Sequence, residues 1–69
     1  MKFIVFETVW NNLIYKIEED LPEIGAYLYC YDSEICVSDY LQNSIEECKT
    51  FALEEFGVPI DSWKKKELA

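Results

Sequence analysis

The sequence predicts an α+β domain in which an antiparallel sheet is followed by one amphipathic helix. Tyrosines alternate with small or aliphatic residues from Gly25 to Tyr31, and this two-residue period is typical of a strand. Up to about residue 43 the chain has the character of strands, rich in β-branched and aromatic residues, whereas capping signals flank residues 45–56. Because no linker, repeat or low-complexity stretch divides the chain, we expect residues 1–69 to form a single domain.

The first part of the chain predicts a β-hairpin. Residues 3–10 and 13–17 have strand composition, and Asn11 and Asn12 lie between them. Asparagine tolerates the left-handed conformation that a two-residue hairpin turn requires. A single long, bent strand is the alternative interpretation.

Two further strands are predicted before the helix. A polar loop over residues 18–23 contains one of the prolines, and a strand over residues 25–31 follows it. Residues 32–34 have turn composition, and residues 35–41 form the next strand. The prediction is therefore a three- or four-stranded antiparallel sheet in β-β-β-β-α order, with the helix on one face.

The register of the last two strands decides which side chains lie under the helix. A two-residue turn at 33–34 places Cys30 opposite Val37, whereas a three-residue turn places it opposite Cys36. We favour the two-residue turn, since it separates an aromatic face from an aliphatic one. The aromatic, open face then comprises Tyr27, Tyr29, Tyr31, Cys36, Ser38 and Tyr40, and the helix-facing side comprises Leu28, Cys30 and Val37.

Both ends of the helix are marked in the sequence. Ser44 and Glu47 form a capping box, in which Ser44 caps the amide of Glu47 and Glu47 reaches back to the amide of Ser44. Gly57, with Pro59 close behind, is typical of a Schellman motif that ends the helix at Phe56. The stripe that would lie on the sheet comprises Ile45, Cys48, Ala52 and Phe56, with Leu53 at its edge.

The chain after the helix predicts a short helical turn. Asp61 would cap a turn over residues 62–68, and lysines 64–66 suit the C-terminal end of a helix. We expect Trp63 to fold back and close the edge of the core.

The charge of the chain excludes several classes of function. Fourteen acidic residues against six lysines give a net charge of −8, and the chain has no Arg and no His. A nucleic-acid binder needs a basic face, and an acidic surface is repelled by anionic lipid heads. Most catalytic constellations use His or Arg. We therefore predict neither an enzyme nor a cofactor protein, with no nucleic acid or membrane as partner.

Three cysteines, Cys30, Cys36 and Cys48, are too few and too irregularly spaced for a disulfide or zinc framework. An odd number argues against a closed set of disulfides, and the chain has no CxxC pair. We therefore expect reduced thiols and no metal. Glu7 interrupts the apolar start, so no signal peptide is predicted, and we expect a cytoplasmic protein.

The tyrosine row is the most distinctive candidate site. Tyrosine is enriched at protein–protein interfaces because its large ring carries a polar tip. We expect the row to bind protein, either another copy of the chain or a basic partner. The alternatives are that the tyrosines belong to the core, and that the chain is a structural homodimer or binds a small ligand without catalysis. The predicted partner-binding residues are Tyr27, Tyr29, Tyr31 and Tyr40.

From Tyr27 onward the chain resembles a group of short acidic bacterial proteins of uncharacterised activity. The resemblance rests on Asp-Tyr-Leu-Gln at 39–42, Ser-Ile-Glu at 44–46, Gly-Val-Pro at 57–59 and Trp63. More distantly, strands followed by an acidic amphipathic helix resemble the HicB-type antitoxin domain. Small immunity and antitoxin proteins are similar in size and charge, which implies the covering of a basic partner.

Overall fold

The computed structural model describes residues 3–19 and 24–68, so the predicted polar loop lies largely outside the described residues. The elements are β1 (Phe3–Trp10), β2 (Leu13–Glu19), β3 (Ala26–Asp32), β4 (Ile35–Gln42), α1 (Ile45–Phe56) and β5 (Lys64–Leu68). The strands form one antiparallel sheet in the order β4-β3-β2-β1-β5. The predicted α+β class and the position of the helix after four strands are confirmed.

The N-terminal hairpin is confirmed, and the single bent strand is wrong. Trp10 pairs with Leu13 across a two-residue turn. Asn11 and Asn12 adopt φ values of 52° and 65°, the left-handed conformation that such a turn requires. The local chemistry of two asparagines therefore sets the register of β1 and β2.

A short helical turn follows α1, but its predicted extent over residues 62–68 is wrong. Residues Ile60–Ser62 form a short 3-10 helix, and the chain then extends as β5 along β1, with Val5 opposite Lys66. A helix over residues 62–68 would have too few hydrogen bonds to offset its nucleation cost. Pairing with β1 instead gives hydrogen-bond partners to backbone N–H and C=O groups of β1 that would otherwise be unpaired. It also makes the sheet five-stranded.

The helix begins and ends at the predicted residues. The Ser44 hydroxyl accepts a hydrogen bond from the Glu47 amide at 3.2 Å, as the capping box predicts. The Glu47 carboxylate, however, accepts from the amide of Asn43 at 3.1 Å, not from that of Ser44. At the other end, Gly57 adopts φ 75° and its amide donates to the Leu53 carbonyl at 3.0 Å.

Replacing Ser44 with alanine should lower the free energy of unfolding by about 0.5–2 kcal/mol, because the Glu47 amide loses its acceptor. Urea unfolding followed by circular dichroism measures this loss. Thr50→Ala, on the exposed surface of the same helix, is the matched control and should cost nothing. Equal losses in both variants would contradict the cap.

The core lies between α1 and one face of the sheet. The helix packs against β2, β3 and β4, and Trp63 closes one side of the core as predicted. The buried residues of this cluster are Tyr15, Ile17, Ala26, Leu28, Cys30, Cys48, Ala52, Val58 and Trp63. No described helix or strand lies against the opposite face, which we name the open face.

Candidate functional site on the open face

The open face is formed by every second residue of the strands. The registers place the following side chains on it: Val5, Glu7 and Val9 of β1; Ile14, Lys16 and Glu18 of β2; Tyr27, Tyr29 and Tyr31 of β3; Cys36, Asp39 and Leu41 of β4; and Lys64 and Lys66 of β5. The alternation of buried and half-buried residues along β3 confirms that this strand has one core face and one open face.

Three of the predicted tyrosines form a continuous row along β3. The rings of Tyr27 and Tyr29 are stacked, with centroids 5.9 Å apart and planes inclined by 20°. Tyr29 and Tyr31 follow with centroids 6.3 Å apart. All three are half-buried, and none belongs to the core cluster. We name Tyr27, Tyr29 and Tyr31 the tyrosine row.

Tyr40 does not join the row, and its predicted position on the open face is wrong. It lies under the helix, with its ring centroid 4.8 Å from that of Phe51 and 6.1 Å from that of Phe56. Leu41 is therefore the β4 residue that pairs with Tyr27. Leu41, 53% exposed, is the open-face residue that sequence reasoning missed.

A β-bulge in β4 causes this exchange of faces. The turn at 33–34 has the favoured two-residue length, and Tyr31 lies opposite Cys36 as predicted. Cys30, however, lies opposite Ser38, so Val37 has no partner. Val37 was predicted under the helix and is instead 52% exposed. Because of this one extra residue, every later side chain in β4 points to the opposite face of the sheet from the one predicted.

On the side of the open face away from the tyrosine row, one carboxylate lies between two lysines and links three strands. Glu7 forms ion pairs with Lys66 at 3.0 Å and with Lys16 at 3.6 Å. The hydrogen bond from Lys66 is the main cause that lowers the pKa of Glu7 below its ordinary value. The ion pairs of Glu7 therefore stabilise the fold at neutral pH, and this stabilisation is lost as the pH falls through the lowered pKa.

Charge is distributed unevenly over the open face. Glu18 and Asp39 flank the tyrosine row, with Glu18 opposite Tyr27 and Asp39 opposite Tyr29. The lysines of β5 lie at the far side of the sheet. Lys16 stands between the two ends, with its ammonium 5.2 Å from the centroid of the Tyr31 ring. The tyrosine row thus lies at the acidic end of the face.

The phenols of the row are suited to contact and hydrogen bonding. Burial is the main cause that raises the pKa of Tyr29, and the negative charge of Glu18 adds to it. Its hydroxyl therefore stays protonated and neutral at physiological pH. The row offers aromatic area with polar hydroxyl tips, the chemistry that protein interfaces favour.

Cys30 and Cys36 lie on opposite faces of the sheet. Cys30 points into the core and Cys36 lies on the open face, so a bond between them needs the β4 register to change. Burial raises the pKa of Cys30, and raises that of Cys48 to about 11. Both thiols are therefore poor nucleophiles at neutral pH.

Iodoacetamide should alkylate Cys36 long before the other two thiols, because Cys36 alone of the three is exposed. Mass spectrometry of the native protein should show one adduct, which peptide mapping places at Cys36, and three adducts after unfolding in urea. Early labelling of Cys48 would contradict its place in the core.

Among residues 3–19 and 24–68, no group of three or more His, Cys, Asp or Glu side chains could hold a metal ion. No helix in these ranges has the length and apolarity needed to cross a bilayer. The chain shows no significant match to a protein-family model, to a curated protein or to a solved structure.

Proposed function

We propose that this chain is a small acidic protein-interaction module whose tyrosine row binds a basic protein partner. The proposed activity is binding without catalysis, with the row as the centre of the interface. The half-buried row on the open face carries the proposal.

The first support is the placement of the aromatic area. Helix α1 packs on the opposite face of the sheet, so the three rings contribute nothing to the core cluster. Aromatic side chains gathered on a surface are costly to leave in water, and such patches mark sites of association. Tyrosine is also among the residues that contribute most to binding energy when an interface buries them.

The second support is the charge around the row. Glu18 and Asp39 lie beside it, and the hairpin that ends β3 adds Asp32 and Glu34. The whole chain carries a net charge of −8. Such a field accelerates encounter with a positively charged surface and opposes encounter with an acidic one.

A second copy of the chain is the competing partner. The open face carries acids near β3 and β4 and lysines on β5, so two faces related by a two-fold axis could place each acidic end on the other's lysines. The large negative charge of each copy opposes this arrangement at low ionic strength. Our proposal therefore favours a basic partner.

Site-specific photocrosslinking tests the proposal. A benzophenone amino acid replaces Tyr29 in one variant and Leu53, on the exposed surface of the helix, in a control variant. The partner that crosslinks in the source cell is then purified, and its affinity for the unmodified chain is measured at increasing salt concentrations. We expect crosslinks from position 29 but not from position 53, to a partner with a basic surface, and an affinity that falls as salt is added.

Three outcomes would overturn the proposal. Crosslinks from position 53 alone would place the interface on the helix. Crosslinks from position 29 only to copies of the chain itself would identify a homodimer. The absence of binding between the purified partner and the chain would show that the crosslink was incidental.

A further inference from the structure

The two edges of the sheet are protected very differently. Strand β5 forms one edge and carries lysines 64–66, and lysine is a residue with which proteins block the pairing of edge strands. Strand β4 forms the other edge and contains neither lysine nor proline. Apart from the bulge at Val37, which interrupts pairing at that point, the β4 edge is the one open to an added strand.

The β4 edge combines three exposed apolar side chains with acidic residues. Ile35, Val37 and Leu41 are 69%, 52% and 53% exposed. Asp39 is the one charged residue within the strand, and Glu34 precedes it in the turn. An extended segment that pairs here meets exposed apolar side chains and negative charge.

A pocket lies beside this edge, between the end of β4 and the helix. It has a volume of about 250 Å³ and is lined by Gln42, Glu47, Thr50, Phe51 and Glu54. The Phe51 ring offers an apolar wall, and the two glutamates supply negative charge. A lysine or arginine side chain suits this pocket, because its apolar stem can pack on the ring while its charge meets the carboxylates.

We propose that β4 is a strand-addition site for an extended basic segment of the partner. This inference rests on the proposed function and specifies how the partner binds. The segment pairs its backbone with β4 and inserts one lysine or arginine side chain into the pocket beside Glu54. Its residues on the other side extend the open face next to the tyrosine row.

Charge decides between a basic segment and a second copy of β4. Pairing of β4 with its own copy brings together two edges whose charged residues, Glu34 and Asp39, are all acidic. A basic segment gains from the same charges. The acidic residues of the β4 edge therefore favour a basic segment over a second copy of β4.

A short peptide of alternating lysine and valine is the probe, and isothermal titration calorimetry measures its affinity for the whole chain. A second peptide carries proline at the central valines, which keeps its charge but removes backbone donors. On the protein, Glu54→Gln is compared with Glu55→Gln. Both changes remove one exposed charge from adjacent helix positions, but only Glu54 lines the pocket.

We expect the first peptide to bind and to slow amide hydrogen exchange in residues 35–42 rather than in 64–68. The proline peptide should weaken binding by about tenfold or more and the Glu54→Gln variant by about threefold, whereas Glu55→Gln should have less than a twofold effect. Equal affinities for the two peptides, or equal effects of the two variants, would overturn strand addition and leave a charge-only attraction.

The remaining outcomes separate this inference from the proposed function. Failure of the first peptide to bind, or pairing of β4 with a second copy in the free protein, also overturns strand addition. Crosslinking from position 29 to a basic partner would then still support the tyrosine row as the interface. Loss of that crosslink with peptide binding intact would overturn the row and retain the edge.

Discussion

Replacing Gly25 with alanine should lower the free energy of unfolding by about 3 kcal/mol or more. Gly25 is buried and adopts φ 110°, a conformation that residues with a Cβ rarely adopt. A Cβ at this position would overlap the backbone carbonyl oxygen of Gln42, which belongs to the first pair of the β3–β4 ladder. The backbone must therefore move, and the pairing of Ala26 with Gln42 is lost.

Gly57→Ala is the matched control for this prediction. Gly57 also has a positive φ, 75°, but the atom nearest to an added Cβ is the indole nitrogen of Trp10 at 3.9 Å. Only the conformational strain remains, so the loss should be about 1–2 kcal/mol. Urea unfolding of both variants measures the difference, and equal losses would show that Gly25 does not contact the β4 backbone closely.

Tyr29→Ala should weaken binding of the basic partner by about 2 kcal/mol or more, which is roughly 30-fold in the dissociation constant. Tyr29 is central in the tyrosine row and contacts both neighbouring rings. Titration of the purified partner measures the effect. Leu53→Ala removes a side chain from the exposed helix surface outside the pocket and should leave the affinity unchanged. An unchanged affinity for Tyr29→Ala would exclude the row as the centre of the interface.

The features that the sequence predicted correctly depend on local chemistry. The two asparagines fix the first turn through their left-handed conformation, and the helix ends follow from Ser44 and Gly57. Each of these signals acts within a few residues. No distant part of the chain is needed to interpret them.

The features that were missed depend on distant parts of the chain. The segment after Trp63 has the lysine-rich composition of a helix end, and it becomes a strand because β1, about sixty residues earlier, offers an edge. The bulge at Val37 leaves no local signal, because Val37 and its neighbours suit a strand with or without it. Long-range pairing overrode local preference in both places.

The candidate site shows the same division. Alternation along β3 correctly predicted that Tyr27, Tyr29 and Tyr31 share one face, since the period of a regular strand fixes it. Tyr40 lies beyond the bulge and was therefore assigned to the wrong face. The separation of acids and lysines across the open face follows from strand order, which a single sequence does not specify.

Tyr29 and Tyr40 have different roles in the fold, and urea unfolding of Tyr29→Ala beside Tyr40→Ala measures the difference. The two substitutions are chemically identical and lie on neighbouring strands, but on opposite faces of the sheet. Tyr40 packs against two phenylalanines of the helix, so its loss should cost about 3 kcal/mol. Tyr29 is half-buried outside the core, so its loss should cost about 1 kcal/mol. A larger loss for Tyr29→Ala than for Tyr40→Ala would show that the tyrosine row belongs to the core and is not a free interface.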